Sequence, residues 1–283
     1  MDQANSDHCR AFVRQFDRDR YLSALFAPEA HRDALLALYA FDVEINRIPD
    51  LVSGPMPGEI RLQWWADALN DIEHGSIAAN PVAAALRAAI ETYQLPAKPL
   101  LDLVEAHVFD LYNDPMPTLT DLEGYSGETV SAILQLSAIV LAGGGDPGTA
   151  DVSGHAGAAI GLTKVLRTFG SRCAKGQVFL PADLLARHGL TPQDVLAPGR
   201  HESLRAALSE MGAHVRHHLD RFSAAFALAE AQPVAAAFLQ IGTIPAYLKA
   251  LEKLQGDPRS QSAQVPQWRR QWDLWRTARR LSR

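Results

Sequence analysis

The chain has 283 residues, 47% of them hydrophobic and 21% charged, with a formal net charge of −5. That composition excludes disordered, collagen-like and mucin-like chains and supplies apolar material for a sizeable core. The charge is uneven: residues 267–283 carry six Arg against one Asp, which makes this tail +5 and leaves −10 to residues 1–266. An acidic body argues against a nucleic-acid-binding surface, because phosphate affinity comes from clustered Lys and Arg.

Taken in chain order, helical periodicity predicts helices at about 7–19, 30–50, 57–75, 80–93, 97–112, 120–142, 150–171, 181–188, 201–229, 231–254 and 266–281. Strand-like alternation is almost absent, so an all-α fold is expected. The breakers between helices include Ser53-Gly54-Pro55, Leu95-Pro96, Asp114-Pro115 and Gly143-Gly144-Gly145. Thr120 followed by Glu123 suggests a capping box. Residues 1–255 read as one helical domain, 256–266 as a linker and 267–283 as a basic, Trp-rich helix.

The two cysteines, Cys9 and Cys173, form no disulfide framework and no Cys-based zinc site, which points to a reducing compartment. No apolar secretory run opens the chain. The run Ala132 to Ala142 is interrupted by Gln135 and Ser137, short of the ~20 residues that cross a bilayer. A cytoplasmic location, with peripheral contact to the inner membrane, is the expectation.

Two stretches carry chemistry. The first holds Asp19-Arg20-Tyr21 and then Tyr39-Ala40-Phe41-Asp42-Val43-Glu44-Ile45-Asn46-Arg47-Ile48-Pro49-Asp50. The second holds Gly161-Leu162-Thr163-Lys164-Val165-Leu166-Arg167-Thr168, Arg172 and Val178-Phe179-Leu180-Pro181. With Trp64-Trp65, Tyr125 and Tyr247, they resemble the squalene and phytoene synthase family over residues 19–255. The resemblance implies an isoprenoid synthase fold, a single helical domain around a central cavity lined by Tyr39, Phe41, Tyr125, Leu162 and Val165.

In that family two aspartate-rich helix faces hold Mg²⁺ ions that neutralise substrate diphosphates, since Mg²⁺ takes hard oxygen ligands. Here the aspartate positions of the first face correspond to Asn46, Arg47 and Asp50, and those of the second to Thr168 and Arg172. The residues aligned with the second motif's Asn and Gln are Lys164 and Gly161. Lys164, Thr168 and Arg172 repeat at i, i+4 and i+8, so they share one stripe. Cations in place of carboxylates repel Mg²⁺, and no residue is assigned a catalytic or metal-binding role. Lys164, Arg167 and Arg172, with Arg47, could engage a diphosphate directly; internal pairing of these cations with Asp42, Glu44 and Asp50 is the competing reading. Tyr39, Phe41, Asp42, Glu44, Tyr125, Lys164, Arg167 and Arg172 are the candidate ligand-binding set.

The segments Ala40 to Ile45, Gln63-Trp64-Trp65 and Val178 to Pro181 are also similar to a subgroup of the superfamily, the phytoene-synthase-related mitochondrial assembly factors for respiratory complex I. That likeness implies a non-catalytic, membrane-associated role with a respiratory-complex partner and an isoprenoid or lipid ligand. The alternative is a working head-to-head prenyl transferase that uses farnesyl or geranylgeranyl diphosphate and Mg²⁺.

Other features read more plainly. His214 and His218 have the i, i+4 spacing of a helical metal pair but no third ligand, so a structural role is expected. Cys173 beside Arg172 and Lys175 reads as a packing or surface thiol whose pKa those cations would lower. Asp110 and Asp114 read as surface, and Trp64 and Trp65 as packing anchors. Trp268, Trp272 and Trp275 follow i, i+4, i+7 with Arg269, Arg276, Arg280 and Arg283 on the flank. Two readings of that tail stay open: a helix lying in an anionic bilayer interface, or one whose Trp face packs on the acidic body.

Overall fold

The computed structural model describes residues 2–70 and 79–282, and every regular element within them is helical. The chain runs through α1 (Gln3–Phe16), α2 (Arg18–Ala24), α3 (Glu29–Leu51), α4 (Pro55–Leu69), α5 (Pro81–Tyr93), α6 (Lys98–Ala106), α7 (Leu119–Ser126) and α8 (Ala132–Leu141). It continues with α9 (Ala150–Ala174), α10 (Ala182–Arg187), α11 (Pro192–Leu196), α12 (His201–Leu228), α13 (Ile244–Glu252) and α14 (Gln267–Leu281). The all-α fold expected from periodicity is the observed one.

Two long helices organise the bundle. In α3, every residue from Ala34 to Val43 is buried, because α1, α5 and α8 pack around it and leave no solvent face. In α9, Gly157 and Gly161 face the preceding helix. A Cβ at Gly157 would lie 2.0 Å from Ser131 Oγ, and one at Gly161 would lie 2.3 Å from Ser126 Oγ. The absence of side chains lets α9 approach the α7 to α8 helix closely, and Gly161 therefore answers a packing demand. The other side of α9 packs along α12.

The differences from the sequence expectation are local. The first helix breaks at Asp17, whose carboxylate accepts from Arg20 N at 3.0 Å and caps the separate α2. The capping box belongs to Thr118 and Asp121 rather than Thr120 and Glu123, so α7 starts at Leu119. A π-turn over Gly127–Ser131 joins α7 to α8. The 97–112 helix tightens to 3₁₀ form at His107–Leu111, and the 231–254 helix is 3₁₀ over Gln232–Thr243 before α13. The helix at 57–75 is α4, starting at Pro55; its expected end at 71–75 lies outside the described residues. The short α11, opened by a Thr191 and Asp194 capping box, was not expected.

Gln232–Glu252 is the one described stretch long and apolar enough to cross a membrane, and 61% of its most apolar window is buried within the protein. The stretch 256–266 is fastened to the body through Arg259, which bonds Asp257 at 2.9 Å and the Gly199 carbonyl at 2.9 Å. Beyond it, α14 packs on the 232–243 segment.

Candidate functional site

The aligned faces of α3 and α9 open onto one cavity of about 490 Å³, within the ~300–1,000 Å³ typical of small-molecule sites. From α3 it receives Asp42, Val43, Asn46 and Arg47, spaced as one helix face. From α9 it receives Ile160, Gly161, Lys164, Val165, Arg167, Thr168 and Arg172. Leu122, Val130, Val165 and Ile244 give it apolar wall, and Tyr125 and Tyr247 line it as well.

The charge of the lining is opposite to that of the body. Among the described residues seven cations line the cavity, Arg18, Arg20, Arg47, Lys164, Arg167, Arg172 and Arg270, against three carboxylates, Asp17, Asp19 and Asp42. Those three are committed. Asp42 pairs with buried Arg20, Asp17 lies 3.7 Å from Arg20 Nε, and Asp19 pairs with Arg270 at 2.7 Å. Burial alone would pull Arg20 down, but Asp42 and Asp17 outweigh it and hold the guanidinium charged. Burial pushes the Asp17 carboxyl up, and Arg20 partly offsets this.

Lys164, Arg167 and Arg172 form no ion pair among the described residues. Lys164 donates to the neutral Asn46 Oδ1, Arg167 lies 3.8 Å over the Tyr247 ring, and Arg172 lies 3.6 Å over Phe179 while its Nε donates to Thr168 Oγ1 at 3.3 Å. Stacking fixes each guanidinium plane and leaves its N–H edges available for an acceptor. Lys164 keeps an exposed surface at the cavity, yet desolvation by the surrounding walls pulls its ammonium below the ordinary lysine range, against the opposing attraction of Asp42 and Asp110. An uncompensated, partly desolvated cationic wall is a ready acceptor of an anion with several oxygens.

These residues do not fit Mg²⁺. Of the aligned motif positions, Arg47 and Arg172 are cations, Asn46 is bonded to Lys164, and Thr168 Oγ1 donates to the Lys164 carbonyl at 2.7 Å. Asp50, the retained carboxylate, is bound by Lys175 at 2.6 Å and does not line the cavity. Among the described residues no group of three His, Cys, Asp or Glu is placed to hold a metal ion.

Several expected residues sit elsewhere. Tyr39, Phe41 and Leu162 are core residues rather than cavity lining, 2%, 0% and 0% exposed. The helical period carries them off the faces that hold Asp42, Asn46, Gly161 and Lys164. Phe41 meets Trp65 edge-on at 5.1 Å, and the Tyr39 ring lies 5.4 Å from the Arg20 guanidinium. Glu44 lines a neighbouring recess with Phe12, Arg61, Trp64 and Trp65, where burial pushes its carboxyl up. Arg47 borders both spaces and lies 3.6 Å over the Phe16 ring. Tyr125 and Val165 do line the cavity.

Asp42 and Asp50 are paired internally, but with Arg20 and Lys175 rather than with Arg47, Lys164, Arg167 or Arg172, so the competing reading is not met by the expected partners. Asp17, Asp19 and Arg270 were also missed as site residues. The run Asp17-Arg18-Asp19-Arg20, four alternating charges at the start of α2, was the available signal.

Asp110 is buried, not on the surface: its Oδ2 accepts from Tyr125 at 2.8 Å, and its Oδ1 and the neighbouring His107 Nε2 have no hydrogen-bond partner among the described residues. Burial, followed by Asp110, raises the Tyr125 hydroxyl well above its usual value. His218 joins Glu123 at 3.0 Å and His155 at 3.2 Å, tying α12 to α7 and α9. Burial pushes Cys173 up to about 11, overriding the lowering expected from nearby cations.

A family model for squalene/phytoene synthase matches residues 13–276, and the chain belongs to that family. It is 29% identical over 255 residues to the human NADH dehydrogenase (ubiquinone) complex I, assembly factor 6, covering 89% of this chain and 75% of that protein. It is 26% identical over 195 residues to a phytoene synthase of Rhodobacter capsulatus, covering 69% of this chain and 57% of that enzyme. In structure it is similar to a crystallised dehydrosqualene synthase, with a TM-score of 0.77, 20% identity, and coverage of 99% of this chain and 97% of that one. That likeness places the chain in the isoprenoid synthase fold.

Proposed function

We propose that this protein is a non-catalytic member of its family, a membrane-associated binding and assembly factor of the complex I assembly type. Its cavity takes an isoprenoid diphosphate, or a lipid of similar headgroup, without Mg²⁺. The observation that carries this reading is the set of α9 cations: Lys164, Arg167 and Arg172 all face the cavity, and none has a carboxylate partner among the described residues. Cations that bind a diphosphate in the ground state can hold it. Ionisation asks for something further, namely charge stabilisation that grows as the leaving group departs, which bridging metal ions supply in this family. The assembly role is supported by the likeness to complex I assembly factor 6 over most of both chains.

Incubation of the full chain with radiolabelled farnesyl diphosphate, Mg²⁺ and NADPH tests the reading. Retention of intact label on the protein, with no C30 hydrocarbon above a boiled control, is the expected result. Any such product would establish a working prenyl transferase instead.

A further inference from the structure

The last helix meets the body with the face opposite to its tryptophans. Asp273, Leu274, Thr277 and Leu281 are buried against the 232–243 segment. The fit is close because Gly242 has no side chain: a Cβ there would lie 1.9 Å from Thr277 Oγ1. At 100° per residue, Trp268, Trp272 and Trp275 fall within an arc of ~60° on the far side of the helix. They are 67%, 49% and 37% exposed. The rings of Trp272 and Trp275 stack at 4.9 Å, and the Arg279 guanidinium lies 4.2 Å over Trp275. Arg269, Arg276 and Arg280 are exposed on one flank. The one acid of α14, Asp273, is buried and paired with Arg269 at 3.0 Å, so the outer surface of the helix carries no free carboxylate.

An aromatic ridge of this kind, left in water, wastes apolar area that soluble surfaces ordinarily hide. Its chemistry matches a bilayer interface, where indoles settle at headgroup depth and guanidiniums meet phosphates. The absence of a carboxylate on that face favours an anionic surface, and its shape, one convex helix, suits a plane better than a pocketed protein partner. The inner side of the same helix walls the cavity. Arg270 lines it, pairs with Asp19 at 2.7 Å, and hydrogen-bonds Tyr247, on whose ring Arg167 is stacked. We propose that Trp268, Trp272 and Trp275, with Arg269, Arg276, Arg279 and Arg280, form a docking face for an anionic phospholipid bilayer, seating the Arg270 wall of the cavity next to the membrane.

Sedimentation of the full chain with large vesicles tests this, comparing phosphatidylcholine alone with phosphatidylcholine mixed with phosphatidylglycerol. Binding is expected only to the mixed vesicles and is expected to weaken as salt is added. Each of Arg276→Glu and Arg280→Glu should reduce it by at least about five-fold. The triple variant Trp268→Ser, Trp272→Ser, Trp275→Ser should abolish it while keeping the circular dichroism and melting temperature of the parent, since these side chains lie outside the packed face.

Equal binding to both vesicle types, no binding to either, or unchanged binding by the triple variant would overturn the proposal. So would capture of a defined protein partner through these tryptophans without vesicle affinity. Titration of the triple variant with farnesyl diphosphate keeps this outcome separate from that of the cavity, because no exchanged residue lines the cavity.

Discussion

Lys164 carries its charge in a place that resists it, and this gives the cavity a pH signature. Its ammonium is held below the ordinary lysine value, because desolvation disfavours the charged form. In the window between the lowered and the free value the unfolded chain binds more protons than the folded one, so the unliganded protein gains stability as pH rises. Anion binding needs the charge and should weaken over the same rise. Calorimetric titrations with farnesyl diphosphate at increasing pH should show that decline, and Lys164→Arg should flatten it; a profile identical in the two proteins would contradict the assignment. Arg167→Ala should lower affinity by about ten- to a hundred-fold, the worth of a hydrogen bond to a charged group. Asp42 is a different case. It compensates buried Arg20, so Asp42→Ala should cost about 3 kcal/mol in urea unfolding, with Arg20 left only the more distant Asp17. The α9 cations were legible in the sequence, because an i, i+4, i+8 stripe states a shared face. The Arg20 and Asp42 pair was not, because it depends on how α2 lies across α3.

At the scale of elements, Gly161 stands where the family's second motif has Gln, and packing explains the exchange. Gly161→Gln should destabilise the protein by about 1–3 kcal/mol through overpacking against Ser126, read as a lower melting temperature. An unchanged melting temperature would mean that α9 can move away at no cost. Helix existence was readable almost throughout, since apolar residues recur at the helical period. The 3₁₀ and π segments were not, because a change of one residue in hydrogen-bond register leaves that pattern nearly intact. For the tail the sequence left two readings open, and the structure turns the Trp face outward. Three tryptophans at i, i+4, i+7 are the more hydrophobic face of α14, yet Leu274, Thr277 and Leu281 do the packing. Steric fit to Gly242 decided the face, and fit to a distant segment is not written in a periodicity.

At the scale of the whole molecule, the net charge of −5 is the sum of an acidic surface, a cationic cavity wall and a cationic last helix. The acidic surface repels free anions in general, while the two cationic regions lie on opposite sides of α14. This layout suits a ligand that arrives from a membrane and is held by direct charge-assisted bonds. The measurement that tests this most directly is calorimetric titration of the full chain with farnesyl diphosphate in EDTA and again in Mg²⁺. The account predicts saturable binding in EDTA, with Mg²⁺ leaving it equal or weaker, because the metal would screen the charge that Lys164, Arg167 and Arg172 recognise. Binding that requires Mg²⁺ would contradict it.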